Sequence, residues 1–294
     1  MIHTIRPRRS VLYMPGVNAR AMDKAKTLDV DAVILDLEDA VAPAAKDDAR
    51  RLVSAQVVGG GYGHREMVIR VNGEGTPWHD ADLAAAIAAS PDAILLPKVD
   101  DAATAARCIT RLRQGGNVAP ALWVMIETPA AIANVDAIAA VEGVAVLVMG
   151  TSDLIKALRA QHTPGREALL YALSRTVNAA RRYGRDALDG VSLDLKDLAA
   201  FEASCRQGRA LGFDGKTLIH PSQVEAANRV FGPTSAEIEH ARRVIAAWRE
   251  AEASGKGVAV LDGQMIENLH AEQAQRVLAY AEAIAARERS PASA

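Results

Sequence analysis

The stretch V-M-I-E-T-P (residues 124–129) is an apolar run that ends in a carboxylate, and V-M-G-T-S-D-L (residues 148–154) repeats this pattern. Glu127 closes the first run, and Asp153 follows the second after one short turn. A carboxylate at the end of a buried strand is costly unless a cation or hydrogen bonds compensate it. In consecutive parallel strands the two carboxylates would converge on one point, where a hard cation such as Mg²⁺ fits.

Working outward, similar apolar runs alternate with alanine-rich helical patterns along most of the chain. Eight runs have strand composition: residues 10–14, 32–37, 67–71, 93–99, 122–127, 144–149, 187–193 and 215–220. They are almost continuously apolar, as expected for parallel strands covered on both faces. Eight strand–helix units in order predict a (β/α)₈ TIM barrel rather than an open sheet.

The pattern changes after residue 230. Helices are predicted at residues 235–253 and 271–286, with the segment V-A-V-L-D-G-Q-M-I-E (residues 258–267) between them. We therefore predict a catalytic barrel over residues 1–230, and C-terminal helices with a lid segment over residues 231–294.

Composition narrows the class of protein. The chain has 294 residues and a formal net charge of −2, which gives no overall field favouring nucleic acid or an anionic membrane. It has no apolar run of about 18 residues, so no membrane span is expected. Cys108 and Cys205 lie far apart inside helical patterns, which indicates neither a disulfide framework nor a zinc site and favours the cytoplasm.

The carboxyl ends of the predicted strands carry charged residues of both signs, and reacting groups of such barrels lie at these ends. Arg70, near the end of the third strand, is a candidate clamp for a substrate carboxylate; the alternative is a structural ion pair with Asp36 or Glu38. Glu127 and Asp153 are candidate metal ligands; the alternative is a pairing of these carboxylates with Lys98 or Arg70.

Two further groups complete the set of candidates. Asp36, Glu38 and Asp39 could hold metal-bound water or orient Arg70, and at least one of them could serve only to cap a helix. Arg20, Lys24 and Lys26 follow the first strand; they could meet the phosphates of a large ligand, or form a solvated helix face.

Taken together, these motifs resemble the HpcH/HpaI aldolase and citrate lyase β-subunit family. The matching pieces, in order, are Y-M-P-G, L-D-L-E-D-A-V, K-x-x-A-R (residues 46–50), I-R-V-N, L-L-P-K-V, M-I-E-T-P, G-T-S-D-L, I-H-P-S-Q and D-G-Q-M-I. The C-terminal D-G-Q-M-I makes the chain similar to the citrate lyase β-subunit and malyl-CoA lyase branch.

The resemblance implies Mg²⁺ bound by Glu127 and Asp153, and a substrate carboxylate bound by Arg70, with Gly150 and Thr151 also at the substrate. It implies a CoA thioester near Arg20, Lys24 and Lys26. It further implies a homo-oligomer, a trimer or hexamer, in which the C-terminal segment of one subunit covers the active site of the next.

The family's general acid/base is an aspartate in a pattern M-I-D on that C-terminal segment. Here the pattern reads M-I-E, so Glu267 stands at this position and Asp262 is an alternative. One extra methylene displaces the carboxyl by about 1 Å, and displacement on that scale can cost about a hundredfold in rate.

The implied activity is that of an Mg²⁺-dependent carbon–carbon lyase. It would cleave or form a 3-hydroxyacyl-CoA with a free carboxylate, such as citryl-CoA or malyl-CoA, giving a 2-keto acid and acetyl-CoA. Three alternatives remain: an aldolase on free hydroxy-diacids, a malyl-CoA thioesterase or malate synthase, and a weakly catalytic subunit of a larger complex.

Overall fold

The computed structural model describes residues 5–115 and 119–289. The chain divides into two compact units, one containing residues 8–228 and the other containing residues 229–289 with residues 5–7. The predicted division into a catalytic barrel over residues 1–230 and a C-terminal part over residues 231–294, which would pack on a neighbouring subunit, stays a prediction. Among the described residues, no helix is long and apolar enough to cross a membrane.

The first unit is a closed barrel of eight parallel strands in sequence order, which confirms the predicted TIM barrel. The strands are β1 (Ser10–Pro15), β2 (Ala32–Asp36), β3 (Glu66–Arg70), β4 (Ala93–Leu96), β5 (Ala121–Ile126), β6 (Val144–Met149), β7 (Asp186–Asp189) and β8 (Gly215–Leu218). Each strand pairs with the next, and β8 pairs with β1 to close the barrel.

Helices follow the strands and cover the outside of the barrel. They are α1 (Ala19–Ala25), α2 (Lys46–Gly59), α3 (His79–Ala89), α4 (Ala102–Gln114), α5 (Pro129–Ala140), α6 (Thr151–Leu158), α7 (Leu170–Arg182), α8 (Leu198–Leu211) and α9 (Val224–Phe231). Short 3₁₀ turns occur at Pro43–Ala45, Glu167–Leu169 and Pro221–Gln223. α4 shows why such segments fold as helices, because its buried residues recur at helical spacing: Ala105, Cys108, Ile109 and Leu112.

The barrel core is made by alternate strand residues, because successive side chains of a strand point to opposite faces. The interior set is Val11, Ala32, Ile34, Val68, Ala93, Leu95, Trp123, Met125, Val146, Val148 and Leu188. The intervening residues, such as Leu12 and Val33, are equally buried, in keeping with a strand covered on both faces.

Three predicted strands run two or more residues past their observed ends. β4 stops at Leu96 because Pro97 has no N–H for the ladder and Lys98 has a left-handed backbone, φ 55°. β7 stops at Asp189, and Gly190 follows it at a point of close approach: a Cβ there would lie 2.8 Å from the Met149 carbonyl oxygen. β8 stops at Leu218, just before the turn that begins at Pro221.

The second unit contains α10 (Ser235–Ala253), the antiparallel strands β9 (Ala259–Leu261) and β10 (Gln264–Ile266), and α11 (Asn268–Arg289). α10 begins with a capping box formed by Thr234 and Glu237. α10 packs against α11, and a small apolar core is formed by Ala241, Val244, Ile266 and Ala274.

Candidate active site

A cavity of about 420 Å³ opens at the carboxyl end of the barrel strands. Its volume lies in the range of small-molecule sites, roughly 300–1,000 Å³. All of its lining residues belong to the barrel unit: Tyr13, Pro15, Asp36, Asp39, Ala40, Arg70, Met125, Glu127, Met149, Gly150, Thr151, Ser152, Asp153, Val191, Leu193, Thr217 and Ile219. Seven of the residues predicted for the site therefore line this cavity: Asp36, Asp39, Arg70, Glu127, Gly150, Thr151 and Asp153.

The local sequence explains why Glu127 is presented to the cavity. β5 ends at Ile126, and α5 starts at once, with Pro129 in its first turn and Thr128 as its N-cap. The Thr128 hydroxyl accepts a hydrogen bond from Ala131 N–H, as an N-cap residue does. Glu127 is thus held at a strand-to-helix junction and is only 2% exposed.

Glu127 and Asp153 both contact the same positive charge. The Lys98 backbone N–H donates to Glu127 Oε1 at 2.7 Å, and Lys98 Nζ lies 3.3 Å from the same oxygen. Lys98 Nζ also forms an ion pair with Asp153 Oδ2. The ammonium group is therefore a stand-in cation between two carboxylates, and the predicted alternative pairing with Lys98 is present in this structure.

The donor set suits one kind of metal. Within the described ranges, no group of three or more His, Cys, Asp or Glu side chains is arranged to hold a metal ion. Glu127 and Asp153 supply two carboxylates, and Mg²⁺ commonly takes one or two carboxylates while water and substrate fill its other positions. The oxygen donors and the bridging ammonium together fit a Mg²⁺ position.

Gly150 and Thr151 form the wall behind Glu127. The register of β5 with β6 places Ile126 opposite Met149, so Glu127 and Gly150 emerge side by side. A Cβ at residue 150 would lie 2.4 Å from Glu127 Cβ and 2.5 Å from its Oε2. The cavity wall therefore requires glycine at this position.

Arg70 is held on one edge and faces the cavity with the other. The register of β2 with β3 places Asp36 opposite Arg70, and Arg70 donates from Nε and Nη2 to the two Asp36 carboxylate oxygens, both at 2.7 Å. Arg70 Nη1 lies near two cavity-lining residues: it is 3.7 Å from Met125 Sδ and 3.5 Å from Asp39 Oδ2. The predicted structural ion pair exists, and it leaves Nη1 at the cavity.

Burial and charge act in opposite directions on Arg70. Burial opposes its positive charge, but the carboxylates of Asp36 and Glu38 outweigh this effect and raise the pKa of Arg70 further above its usual range. The Tyr13 ring stacks against the guanidinium, with its centroid 4.9 Å from Cζ. Arg70 is therefore a fixed, permanently charged group.

Glu38 lies behind Arg70 rather than on the cavity wall. Its Oε2 is 2.8 Å from Arg70 Nη1 but accepts no hydrogen bond of good geometry from any residue that the structure describes. Burial raises the pKa of Glu38 to about 7, although the Arg70 charge opposes the rise. Asp36 instead accepts backbone hydrogen bonds from Glu38 and Ala40, at 2.8 Å and 3.0 Å, and so fixes this loop.

The three basic residues proposed for CoA lie on or next to α1. Arg20 and Lys24 are solvent-exposed, whereas Lys26 is half-buried, pairs with Asp23 at 3.1 Å and lies over the Tyr62 ring. None of the three is among the described residues that line the cavity. Their role at CoA stays a prediction.

Glu267 and Asp262 belong to the second unit. Asp262 and Gly263 form the two-residue turn between β9 and β10, with φ values of 52° and 77°, the geometry that a D-G hairpin adopts. Asp262 Oδ1 also pairs with Arg243 Nη2 at 2.5 Å. Glu267 precedes α11 and donates its backbone N–H to His270 Nδ1 at 3.0 Å. The role of either carboxylate as general acid/base stays a prediction.

Tyr13 is a polar residue of the cavity wall that the sequence analysis did not predict. It lies on β1, lines the cavity and contacts Arg70, and burial raises the pKa of its hydroxyl. The period-two alternation of S-V-L-Y-M was the available signal, because it places Tyr13 on the same face as Val11, which lies in the barrel core.

Comparison with known proteins places the chain in a family. The sequence profile of the HpcH/HpaI aldolase/citrate lyase family matches residues 9–221. A (3S)-malyl-CoA thioesterase from Cereibacter sphaeroides is 49% identical over 288 residues, covering 97% of this chain and 99% of that protein. The citrate lyase subunit beta of Escherichia coli is 35% identical over 290 residues, covering 96% of each chain.

A solved structure extends the likeness. The Mycobacterium tuberculosis protein CitE, in complex with magnesium, acetoacetate and coenzyme A, has a TM-score of 0.74 at 29% identity, covering 96% of this chain and 99% of that one. The motifs from Y-M-P-G to D-G-Q-M-I, the closed barrel and these matches agree. The chain belongs to the HpcH/HpaI aldolase/citrate lyase family.

Proposed function

We propose that this chain is an Mg²⁺-dependent enzyme that acts on a CoA ester carrying a 2-hydroxy acid group, of the malyl-CoA type. The observation that carries the proposal is the presence, in one cavity, of a two-carboxylate cation position and the Arg70 guanidinium. A 2-hydroxy or 2-oxo acid offers oxygens to a cation and a carboxylate to an arginine, so one small molecule satisfies both.

Glu127 and Asp153 are the residues that would hold Mg²⁺. When bound, the ion supplies a Lewis acid that stabilises negative charge on the substrate oxygens. The Lys98 side chain would give up its place between the carboxylates and, being 42% exposed, is free to move. The description of the M. tuberculosis protein with magnesium and a small oxo acid supports this assignment.

Arg70 would bind the carboxylate of the acid through Nη1. Asp36 accepts hydrogen bonds from Nε and Nη2, so the guanidinium is oriented before substrate arrives. Such preorganisation lowers the entropic cost of binding and keeps the acid aligned with the cation. Gly150 and Thr151 would form the wall against which the acid packs.

The reaction that we propose is hydrolysis of the thioester of malyl-CoA. Support comes from the relatives described as (3S)-malyl-CoA thioesterase, which are 47–49% identical and match along almost their whole length. The second candidate is cleavage of the carbon–carbon bond, which would give glyoxylate and acetyl-CoA. Its support is the pair of carboxylates, since Mg²⁺ held by them would stabilise negative charge on the substrate oxygens during that cleavage, together with the citrate lyase subunit beta relatives.

The remaining groups are assigned by the family resemblance. We propose that Glu267 is the general acid/base, that Arg20, Lys24 and Lys26 meet the CoA phosphates, and that the enzyme is a homotrimer or hexamer. In that assembly the segment carrying Glu267 would cover the cavity of a neighbouring subunit.

The test is product analysis with malyl-CoA and Mg²⁺. Free CoA thiol together with malate would identify the thioesterase, and acetyl-CoA together with glyoxylate would identify the lyase. We expect Glu127→Gln to abolish either activity and Glu142→Gln, at a carboxylate that is 91% exposed, to leave it unchanged. Absence of both product pairs, with free hydroxy-diacids cleaved instead, would favour the aldolase; absence of all turnover with Mg²⁺ still bound would favour the accessory subunit.

A further inference from the structure

The K-x-x-A-R segment at the start of α2 has no place in the proposed chemistry, yet its lysine is among the most deeply buried charges of the barrel. Lys46 is only 5% exposed and is not among the described cavity-lining residues. Burying an ammonium group is costly unless the protein gains something from its hydrogen bonds. The contacts of Lys46 show what is gained.

Lys46 Nζ donates three hydrogen bonds, all at 2.7 Å. The acceptors are the backbone carbonyls of Leu37 and Glu38 and the side-chain oxygen of Asn72. The ammonium also lies over the Trp78 ring, 5.1 Å from its centroid. Three N–H groups thus meet three neutral acceptors, which satisfies the donor capacity of a lysine.

A second layer of contacts fixes Asn72 itself. Asn72 donates from Nδ2 to the Leu37 carbonyl at 2.9 Å and from its backbone N–H to Asp82 Oδ2 at 3.1 Å. Asp82 is fully buried and accepts a hydrogen bond from Arg50 Nε at 2.7 Å. The lysine and the arginine of K-x-x-A-R therefore belong to one network.

The network ends on the loop that holds Arg70. Leu37 and Glu38, whose carbonyls Lys46 binds, lie between Asp36 and Asp39. The Asp36 carboxylate accepts hydrogen bonds from the guanidinium of Arg70, and Glu38 Oε2 lies 2.8 Å from Arg70 Nη1. The Leu37 N–H also donates to the Arg70 carbonyl at 2.9 Å. A displacement of this loop would pass directly to Arg70.

We infer that Lys46 is a positioning residue for recognition of the substrate carboxylate: by holding the Leu37 and Glu38 carbonyls, it fixes the acidic loop that orients Arg70. The inference rests on the proposed function only in taking Arg70 as the carboxylate-binding group. The three acceptors of Lys46 belong to Leu37, Glu38 and Asn72 and not to Glu127 or Asp153, so we expect Mg²⁺ binding to be independent of Lys46.

The experiment is a double-mutant cycle on the full-length protein, read by calorimetric titration. Lys46→Met, Arg70→Lys and the double variant are titrated with Mg²⁺ alone, and then with L-malate at saturating Mg²⁺. Arg51→Met is the matched control, because Arg51 lies on the same helix and is 78% exposed. Urea unfolding of each variant separates loss of fold from loss of recognition.

We expect Lys46→Met to weaken L-malate binding by about tenfold, which is about the cost of losing one hydrogen bond between the Arg70 guanidinium and the L-malate carboxylate, and to leave Mg²⁺ affinity unchanged. The double variant should bind L-malate no more weakly than Arg70→Lys, because both changes act on one contact. Lys46→Gln, which keeps a polar side chain with N–H donors, repeats the test if Lys46→Met does not fold.

Two results would overturn the inference: unchanged L-malate affinity in Lys46→Met, or losses that add in the double variant. Failure of the proposed function gives a different result. If Arg70→Lys itself binds L-malate like the wild type, the assignment of Arg70 as the carboxylate-binding group is wrong. The proposed role of Lys46 is then wrong as well. If Arg70→Lys weakens binding and Lys46→Met does not, only the inference about Lys46 is wrong.

Discussion

Replacing Gly150 with alanine tests the proposed cation position at its tightest point. The added Cβ would lie 2.4 Å from Glu127 Cβ and 2.5 Å from Oε2. Ordinary carbon–carbon contacts begin at about 3.5 Å, so Glu127 would have to move by about 1 Å. Gly150 has φ −98°, outside the left-handed region, so the effect of alanine is steric and does not come from backbone strain.

A displacement of that size is enough to lower activity strongly. Misplacing a group by about 1 Å can cost about a hundredfold in rate, and overpacking typically costs about 1–3 kcal/mol of unfolding free energy. We therefore expect Gly150→Ala to lower kcat/KM for malyl-CoA by about a hundredfold and to weaken Mg²⁺ binding. Steady-state kinetics and calorimetric titration with Mg²⁺ measure the two effects.

Gly59→Ala is the matched control, since a Cβ at residue 59 would meet nothing within 4 Å. It should leave both quantities unchanged. If Gly150→Ala binds Mg²⁺ and turns over malyl-CoA like the control, then Glu127 does not hold the cation, and the cavity must be assigned another chemistry.

Three other variants probe separate parts of the proposal. Lys98→Met should tighten Mg²⁺ binding by about two- to fivefold, because a half-exposed ammonium that competes for the carboxylates contributes about 0.5–1 kcal/mol. Glu38 has its pKa raised by burial from about 4.5 to about 7, so it favours the fold at low pH and loses this contribution as pH rises through 7. Relative to Glu38→Gln, the wild type should therefore lose about 3 kcal/mol of unfolding free energy between pH 4.5 and pH 7, as measured by urea unfolding. Glu267→Gln should lower turnover by about a hundredfold or more without changing Mg²⁺ affinity, since a general acid/base contributes about 10²–10⁴ in rate.

Each of these expectations has a result that contradicts it. Weaker Mg²⁺ binding in Lys98→Met would mean that the lysine supports the cation instead of competing with it. Parallel pH profiles of stability for the wild type and Glu38→Gln would mean that the pKa of Glu38 is not raised. Asp262→Asn keeps a residue that tolerates the left-handed turn, so loss of turnover in this variant with Glu267→Gln active would transfer the acid/base role to Asp262.

The barrel was predictable because its strands are short, apolar and regularly separated by helices. β6 matches the predicted residues 144–149 at both ends, whereas β4, β7 and β8 end two to four residues earlier than predicted. The early ends depend on tertiary features: a left-handed Lys98, and a Gly190 that packs against another strand's carbonyl. An apolar pattern contains no information about such contacts.

The candidate site was predictable as a set of residues but not as a geometry. Strand ends gave Arg70, Glu127 and Asp153, because carboxyl ends of parallel strands meet at one face of a barrel. The fork between Arg70 and Asp36 depends on the register of β2 with β3, and the role of Lys46 depends on backbone carbonyls. The identity of a residue in a motif does not show that its hydrogen-bond acceptor is a main-chain oxygen.

The most direct test of the central claim is a titration of Mg²⁺ into the wild type and Glu127→Gln, each with and without L-malate. The account predicts that the wild type binds Mg²⁺, that L-malate tightens this binding by about tenfold because cation and acid share the cavity, and that Glu127→Gln loses both effects. Mg²⁺ binding that survives Glu127→Gln, or that L-malate leaves unchanged, would contradict it.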